Sequence, residues 1–248
     1  MNVIGLRPDR GPIVTRGGAI ALRAEGPARV ERHPFPIVSY TADGRPGKVL
    51  AHVPGTEIEV ATISAGPLAG GFQRGLRLFG ADAALGLSNG HVIAVDNAHF
   101  QFDVIDTSGR LIRRVRRAHV PETVRPAHIA AYVEERVSAV RSEARASLRA
   151  RLDGTSHAAV FPALEARVVV GADERIWLGG YKRPGDREQA WWIFTVDGQM
   201  AGRVVVPAAL TVVDAGTDFV LGVWRDEDGV QTVRLYRLAP AAGGRGDS

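Results

Sequence analysis

The stretch "HFQFDVIDTSGRLIRRV", residues 99–115, has the pattern of a β-hairpin. Apolar and polar residues alternate before a tight turn at Ser108-Gly109, and a second strand follows the turn. Glycine accepts the positive φ that such a turn requires. Looser copies of this pattern surround Gly44 in "IVSYTADGRPGKVL" (37–50) and Gly198 in "IFTVDGQMAGRVVV" (193–206). The chain therefore repeats one hairpin three times.

A second pair of strands is predicted before each hairpin, over residues 13–24, 83–97 and 167–181. A fourth unit, residues 210–238, has three predicted strands with turns at Gly216 and Asp228-Gly229. Units of about four antiparallel strands that recur every roughly 40 to 50 residues are typical of β-propellers. A β-sandwich is the alternative, although a sandwich would not repeat the same four-strand unit. We therefore predict an all-β fold, a β-propeller with about four recognisable four-stranded blades.

The segment "HVIAVDNAHFQFDVIDTSGRLIRRV" resembles an NHL-type propeller repeat, with Asp96-Asn97 in its polar loop and Asp106 to Gly109 in its turn. The family's usual arginine just before the third strand is absent, and Phe100 and Gln101 stand in that neighbourhood, so the match is partial. Residues 161–238 are similar to the end of an uncharacterised group of bacterial six-bladed β-propeller proteins. This resemblance covers roughly residues 75–240. It implies part of a six-bladed ring without its N-terminal blades, and it assigns no reaction.

Residues 126–153 interrupt the strand pattern and predict one long helical insertion between two blades. Pro126 suits the first helical turn, and Gly154 suits the position just after the last. Apolar residues at spacings of three and four, from Ile129 to Leu152, form one stripe. The other face carries Arg141, Arg145 and Arg149. We interpret this face as solvated, with an anionic partner as the alternative, and the apolar stripe as a possible homodimer contact.

Propeller topology places this insertion on the same face as the loops between the second and third strands of the blades. We expect the insertion to act as a lid or docking element there, over a site for a protein, a peptide or a small ligand. The candidate ligand-binding residues come from three of those loops and are Asp96, Asn97, His99, Tyr181, Arg183, Arg187, Trp224 and Arg225.

Enzymatic motifs are scarce. The chain has no cysteine, which excludes disulfides, thiolate catalysis and cysteine-ligated zinc, and its seven histidines lack zinc-motif spacing. No phosphate-binding loop or nucleophile elbow occurs. We therefore predict a non-enzymatic binding or scaffold protein without cofactor or metal. The alternative is a hydrolase of the calcium-dependent propeller lactonase type, with Asp96 and His99 near the chemistry. The chain has only three asparagines, and inner strands such as "RVVVG" bring no carboxylate inward to bind calcium.

The net charge is +4, and nearly all of the positive charge comes from arginines that are interspersed with acidic residues. Nucleic acid is therefore not the expected partner. No apolar run predicts a membrane span and no signal peptide is recognised, so the chain as written is expected in the cytoplasm. An N-terminal signal lost from this sequence would instead place it outside the cytoplasm. We assign residues 1–240 to one propeller domain and residues 241–248 to a disordered tail.

Overall fold

The computed structural model describes residues 2–7, 11–15, 29–62, 72–226 and 229–238, and this part of the chain is mostly β. Its strands in chain order are β1 (Asn2–Arg7), β2 (Gly11–Thr15), β3 (Arg29–Glu31), β4 (Phe35–Tyr40), β5 (Pro46–Val53), β6 (Ile58–Thr62), β7 (Phe72–Leu76), β8 (Ala83–Ser88), β9 (His91–Asp96), β10 (Gln101–Ile105), β11 (Leu111–Arg116), β12 (Leu164–Val170), β13 (Ile176–Gly180), β14 (Glu188–Phe194), β15 (Met200–Pro207), β16 (Leu210–Ala215), β17 (Phe219–Arg225) and β18 (Gln231–Arg237). The predicted strand after Thr15, up to residue 24, and the predicted tail lie outside the described residues.

The strands form antiparallel sheets that follow the chain. The first sheet has the order β1-β2-β4-β5, the second contains β8 to β11, and the third contains β12 to β15. The fourth sheet has three described strands, β16 to β18, and a small sheet joins β3, β6 and β7. The antiparallel units predicted over residues 83–115, 167–206 and 210–238 are therefore confirmed. In the first unit, β2 pairs with β1 (Asn2–Arg7) and with β4, so the sheet uses a strand at the start of the chain that was not predicted.

The three predicted hairpins are also confirmed. The backbone φ is +80° at Gly44, +87° at Gly109 and +79° at Gly198, values that favour glycine. In the second of these turns the Asp106 carboxylate accepts hydrogen bonds from the backbone N–H groups of Ser108 (2.8 Å) and Arg110 (2.9 Å). Hydrogen bonds from Ser108 and Arg110 lower the pKa of Asp106 to about 2, because they stabilise the ionised form.

Consecutive sheets pack face to face, and one apolar core lies between each pair. The first and second sheets share a core that includes Ile37 and Val92. The second and third sheets share another, with Phe102 and Leu178 buried in it. A further core joins the third and fourth sheets around Trp177. The sheets thus form a continuous stack in chain order.

The insertion between the second and third sheets differs from the prediction. It contains two helices, α1 (Pro126–Ser138) and α2 (Ser142–Asp153), instead of one. The helical backbone ends at Ala139, and Arg141 is extended with φ −59° and ψ 150°. Arg149 donates to Glu134 over 2.6 Å, whereas 15 residues of straight helix would span about 22 Å. The chain therefore folds back at residues 139–141, and α2 packs against α1.

The insertion joins the segment that precedes the second sheet, and together they cover one end of the stack. Leu78 exchanges backbone hydrogen bonds of 2.8 Å with Ser156 and Ala158. Phe79 contacts the rings of Tyr132 (5.4 Å between centroids) and Phe161 (5.1 Å). We call these joined segments, residues 77–82 and 118–163, the cap. In the described part of the chain, no helix is long and apolar enough to cross a membrane.

Candidate functional site

A cleft opens between the second and third sheets beneath the cap. It consists of two adjoining cavities, of about 640 and 370 Å³, and His119 lines both of them. The larger cavity is bounded by the β13–β14 loop and by strands β14 and β15. The smaller one is bounded by residues 98–101 and 116–121. We call the two cavities together the inter-sheet cleft; cavities of this size accommodate small ligands or peptide segments.

Aromatic rings and an arginine lie where the two cavities meet. Phe100 and Trp192 make an edge-to-face contact with 4.9 Å between ring centroids. The guanidinium of Arg117 lies over both rings, 5.5 Å from the Phe100 centroid and 5.2 Å from the Trp192 centroid. Cation–π attraction therefore holds this guanidinium over the two rings where the cavities meet.

The charged side chains of the cleft divide into paired and unpaired groups. Arg183 forms ion pairs with Glu122 and, over 3.0 Å, with Asp186. The hydrogen bond to Asp186 is the main cause that raises the pKa of Arg183. Arg187 and Arg203 are exposed, and neither side chain has a hydrogen bond or ion pair within the described part of the chain. Two cations of the cleft are therefore available to an anionic group.

The structure brings together four of the predicted ligand residues. His99 is exposed in the smaller cavity, while Tyr181, Arg183 and Arg187 line the larger one. Tyr181 also packs on Phe161 of the cap, with 5.5 Å between ring centroids, and burial raises the pKa of its hydroxyl. The β13–β14 loop and the insertion therefore meet at one face of the molecule.

Asp96 and Asn97 have structural contacts. The Asp96 carboxylate pairs with Arg32 over 2.8 Å and accepts the Ala98 N–H over 3.2 Å. Asn97 is 2% exposed, and its Oδ1 accepts the N–H of Asp82 over 2.6 Å. The backbone carbonyl of Asn97 accepts the N–H of Ala163 over 2.8 Å, which fixes the β9–β10 loop to the cap. These two side chains position the loop and do not line either cavity of the cleft.

The remaining predicted residues lie away from the cleft. Trp224 packs in the core of the third and fourth sheets, where the Arg234 guanidinium stacks 4.1 Å from its ring. Arg225 is exposed at the end of β17.

The predicted arginine row of the insertion is divided by the helix break. Arg141 precedes α2, Arg145 donates to the Val140 carbonyl over 3.2 Å, and Arg149 pairs with Glu134. Val133 and Val137 of the apolar stripe are buried within this chain, and α2 has no buried residue. The homodimer through the helix stays a prediction.

Sequence analysis did not identify Arg117, His119 and Arg203 as candidates. The only sequence feature that pointed toward this cleft is the adjacent pair Trp191 and Trp192. Successive residues of a strand face opposite sides of a sheet, so one ring of such a pair can lie in the core while the other faces a ligand. Trp191 is 2% exposed in the core of the third and fourth sheets, whereas Trp192 lines the cleft. The sequence could not reveal which of the two faced a ligand.

Among the residues that the structure describes, no group of three His, Asp or Glu side chains is placed to hold a metal ion. The alternative of a calcium-dependent lactonase stays a prediction. No protein-family model matches this chain, and no curated protein matches its sequence.

Proposed function

We propose that this chain is a β-propeller binding module without enzymatic activity, and that the inter-sheet cleft binds an extended acidic segment of a partner protein. The single observation that carries the proposal is the arginine-rich cleft itself, in which Arg117 lies over two rings and the Arg187 and Arg203 side chains have no partner within the described part of the chain. The resemblance of residues 91–115 to an NHL-type repeat agrees with a propeller.

The packing of the first strands supports the propeller arrangement. In a propeller, the first strand of each blade lies near the axis and the blades diverge outward. Strand β8 contacts β12, and β12 contacts β16. A Cβ added to Gly86 on β8 would lie only 2.9 Å from Val168 Cγ1 on β12, so the backbones approach closely there. The cleft opens farther out, beside β11 and β15.

The charges of the cleft support an acidic occupant. Five arginines and three acidic residues line the two cavities: Arg116, Arg117, Arg183, Arg187, Arg203, Glu122, Asp186 and Glu188. The acids Glu122 and Asp186 are both paired with Arg183, so they compete little with a ligand for the other arginines. Carboxylates of a bound segment would gain charge-assisted hydrogen bonds from these guanidinium groups. Two cavities that share His119 offer neighbouring subsites, which an extended segment can occupy in sequence.

The test uses fluorescence polarisation with three labelled ten-residue peptides of equal length, one rich in Glu and Asp, one with Gln and Asn at those positions, and one with Lys. We expect the acidic peptide to bind at least tenfold more tightly than the other two, and its affinity to fall as salt rises from 50 to 200 mM. The double variant Arg187→Ala/Arg203→Ala should weaken this binding at least tenfold.

The matched control is Arg225→Ala/Arg237→Ala, which removes two exposed arginines from the fourth sheet. This variant has the same net charge as the cleft variant, and we expect it to bind like the parent protein. Equal binding of the three peptides, or an equal loss in the two double variants, would contradict the proposal.

A further inference from the structure

A second pocket lies between the first strands of the third and fourth sheets, separate from the charged wall of the cleft. Its volume is about 300 Å³, at the lower end of the range for small-molecule sites. Glu165, Arg167 and Lys182 bring charges to it. Leu210 and Val212 contribute apolar surface, and buried Gln189 separates it from the cleft. We call it the Glu165 pocket.

Glu165 is a half-buried carboxylate with one hydrogen bond within the part of the chain that the structure describes. It accepts the backbone N–H of Lys182 over 2.8 Å. Burial raises its pKa, although that hydrogen bond and the charges of Lys182 and Arg167 act in the opposite direction. Removing a carboxylate from water without full compensation is unfavourable. The acceptor capacity that remains on Glu165 is therefore available to a ligand.

The two cations of the pocket are held by backbone carbonyls. Lys182 Nζ donates to the Ala208 carbonyl over 3.1 Å, and Arg167 Nη1 donates to the Val212 carbonyl over 2.8 Å. None of the ion pairs in the described part of the chain joins either cation to Glu165.

Each cation keeps further N–H donors beyond the one that its carbonyl accepts. The Glu165 carboxylate and the Lys182 and Arg167 cations therefore line one cavity, and each is held by a hydrogen bond to a backbone group. This arrangement leaves room for a ligand between them.

We propose that the Glu165 pocket binds a small carboxylic acid that also carries a hydroxyl group. The ligand carboxylate would accept hydrogen bonds from Lys182 and Arg167, and the hydroxyl would donate to Glu165. The short apolar chain between them would pack on Leu210 and Val212. The site is distinct from the peptide site and does not depend on it.

The test is a ligand-observed NMR titration of the whole chain with three four-carbon probes: 4-hydroxybutanoate, butanoate and butane-1,4-diol. Butanoate keeps only the carboxylate and the diol keeps only hydroxyl groups, so each lacks half of the proposed recognition. We expect 4-hydroxybutanoate to bind at least tenfold more tightly than either. A comparable affinity for all three probes would overturn the proposal.

Two variants assign the binding to this pocket. Glu165→Gln removes the charged acceptor, and Lys182→Met removes the ammonium but keeps the backbone N–H that Glu165 accepts. Each should weaken 4-hydroxybutanoate binding at least fivefold. Far-UV circular dichroism is the check that both variants fold.

Matched controls are available because the sequence has only two lysines. Lys48→Met alters the other lysine, which donates to the Ser108 carbonyl far along the chain, and Glu188→Gln alters an exposed acid of the cleft. Both controls should bind the probe like the parent protein. If the controls weaken binding as much as the pocket variants, or if only Arg203→Ala weakens it, the assignment to the Glu165 pocket is wrong.

Discussion

The same turn position is held by Gly44, Gly109 and Gly198, but a side chain at each position would meet different neighbours. A Cβ on Gly44 would have no atom within 4 Å. On Gly109 it would lie 2.5 Å from the Leu50 carbonyl oxygen, which belongs to the backbone of β5. On Gly198 it would lie 2.5 Å from Val115 Cγ2, a side-chain atom of β11. Two of these turns therefore also contact the outer strand of the preceding sheet.

Alanine substitutions at these three turns should therefore differ in their cost to stability. Gly44→Ala should cost about 1–2 kcal/mol, because only the positive φ is unfavourable for alanine. Gly109→Ala should cost a further ~1–3 kcal/mol, because the backbone of β5 must move to admit the new methyl group. Gly198→Ala should fall between them, since the Val115 side chain can adjust. Urea denaturation measures the three free energies of unfolding, and equal losses at Gly44 and Gly109 would contradict the close contact between sheets.

The helical insertion shows that the spacing of apolar residues can predict helix without predicting where a helix ends. The apolar stripe from Ile129 to Leu152 predicted helix correctly on both sides of residues 139–141. It could not predict the break, since Ala139, Val140 and Arg141 include neither glycine nor proline. The tertiary contacts differ on the two sides: α1 buries Val133 and Val137, while α2 has no buried residue and packs against α1.

Proline substitutions test the break. Ser142 is the first residue of α2 and follows Arg141 in an extended conformation, a setting that proline favours. We expect Ser142→Pro to keep the helical circular dichroism signal and to change the free energy of unfolding by less than about 0.5 kcal/mol. Ala146→Pro lies inside α2 and should lose the helical signal of that segment, because proline inside a helix costs about 3 kcal/mol.

The control for both variants is the parent protein at the same concentration. If Ser142→Pro lost as much helical signal as Ala146→Pro, residues 126–153 would form one continuous helix after all.

At the scale of the whole molecule, the repeat predicted the sheets because each hairpin is encoded locally by alternation and a turn glycine. The cleft depends on how two sheets are angled, which no local pattern specifies. Glu165 was missed because the start of its strand was predicted too late. The strand was predicted to start at Arg167, whereas β12 starts at Leu164 and includes Glu165 at its beginning. The candidate site was therefore predicted only in part, through its loops.

The continuity of the stack leads to a prediction about cooperativity. All four tryptophans, Trp177, Trp191, Trp192 and Trp224, belong to the third and fourth sheets, and none contacts the first sheet's core, so tryptophan fluorescence reports these two sheets and, through Trp192, their contact with the second. Circular dichroism in the far ultraviolet reports all sheets. Because each pair of consecutive sheets shares an apolar core, we expect the two signals to change in one urea transition with the same midpoint.

Val92→Ala makes this test sharper. Val92 is 0% exposed in the core between the first and second sheets, which contains no tryptophan. Loss of its two methyl groups should cost about 2 kcal/mol. If the stack unfolds as a unit, the midpoint detected by tryptophan fluorescence falls as far as the midpoint detected by circular dichroism. A fluorescence midpoint that stays at the parent value would mean that the third and fourth sheets unfold independently of the first two, and that the shared cores do not couple the sheets.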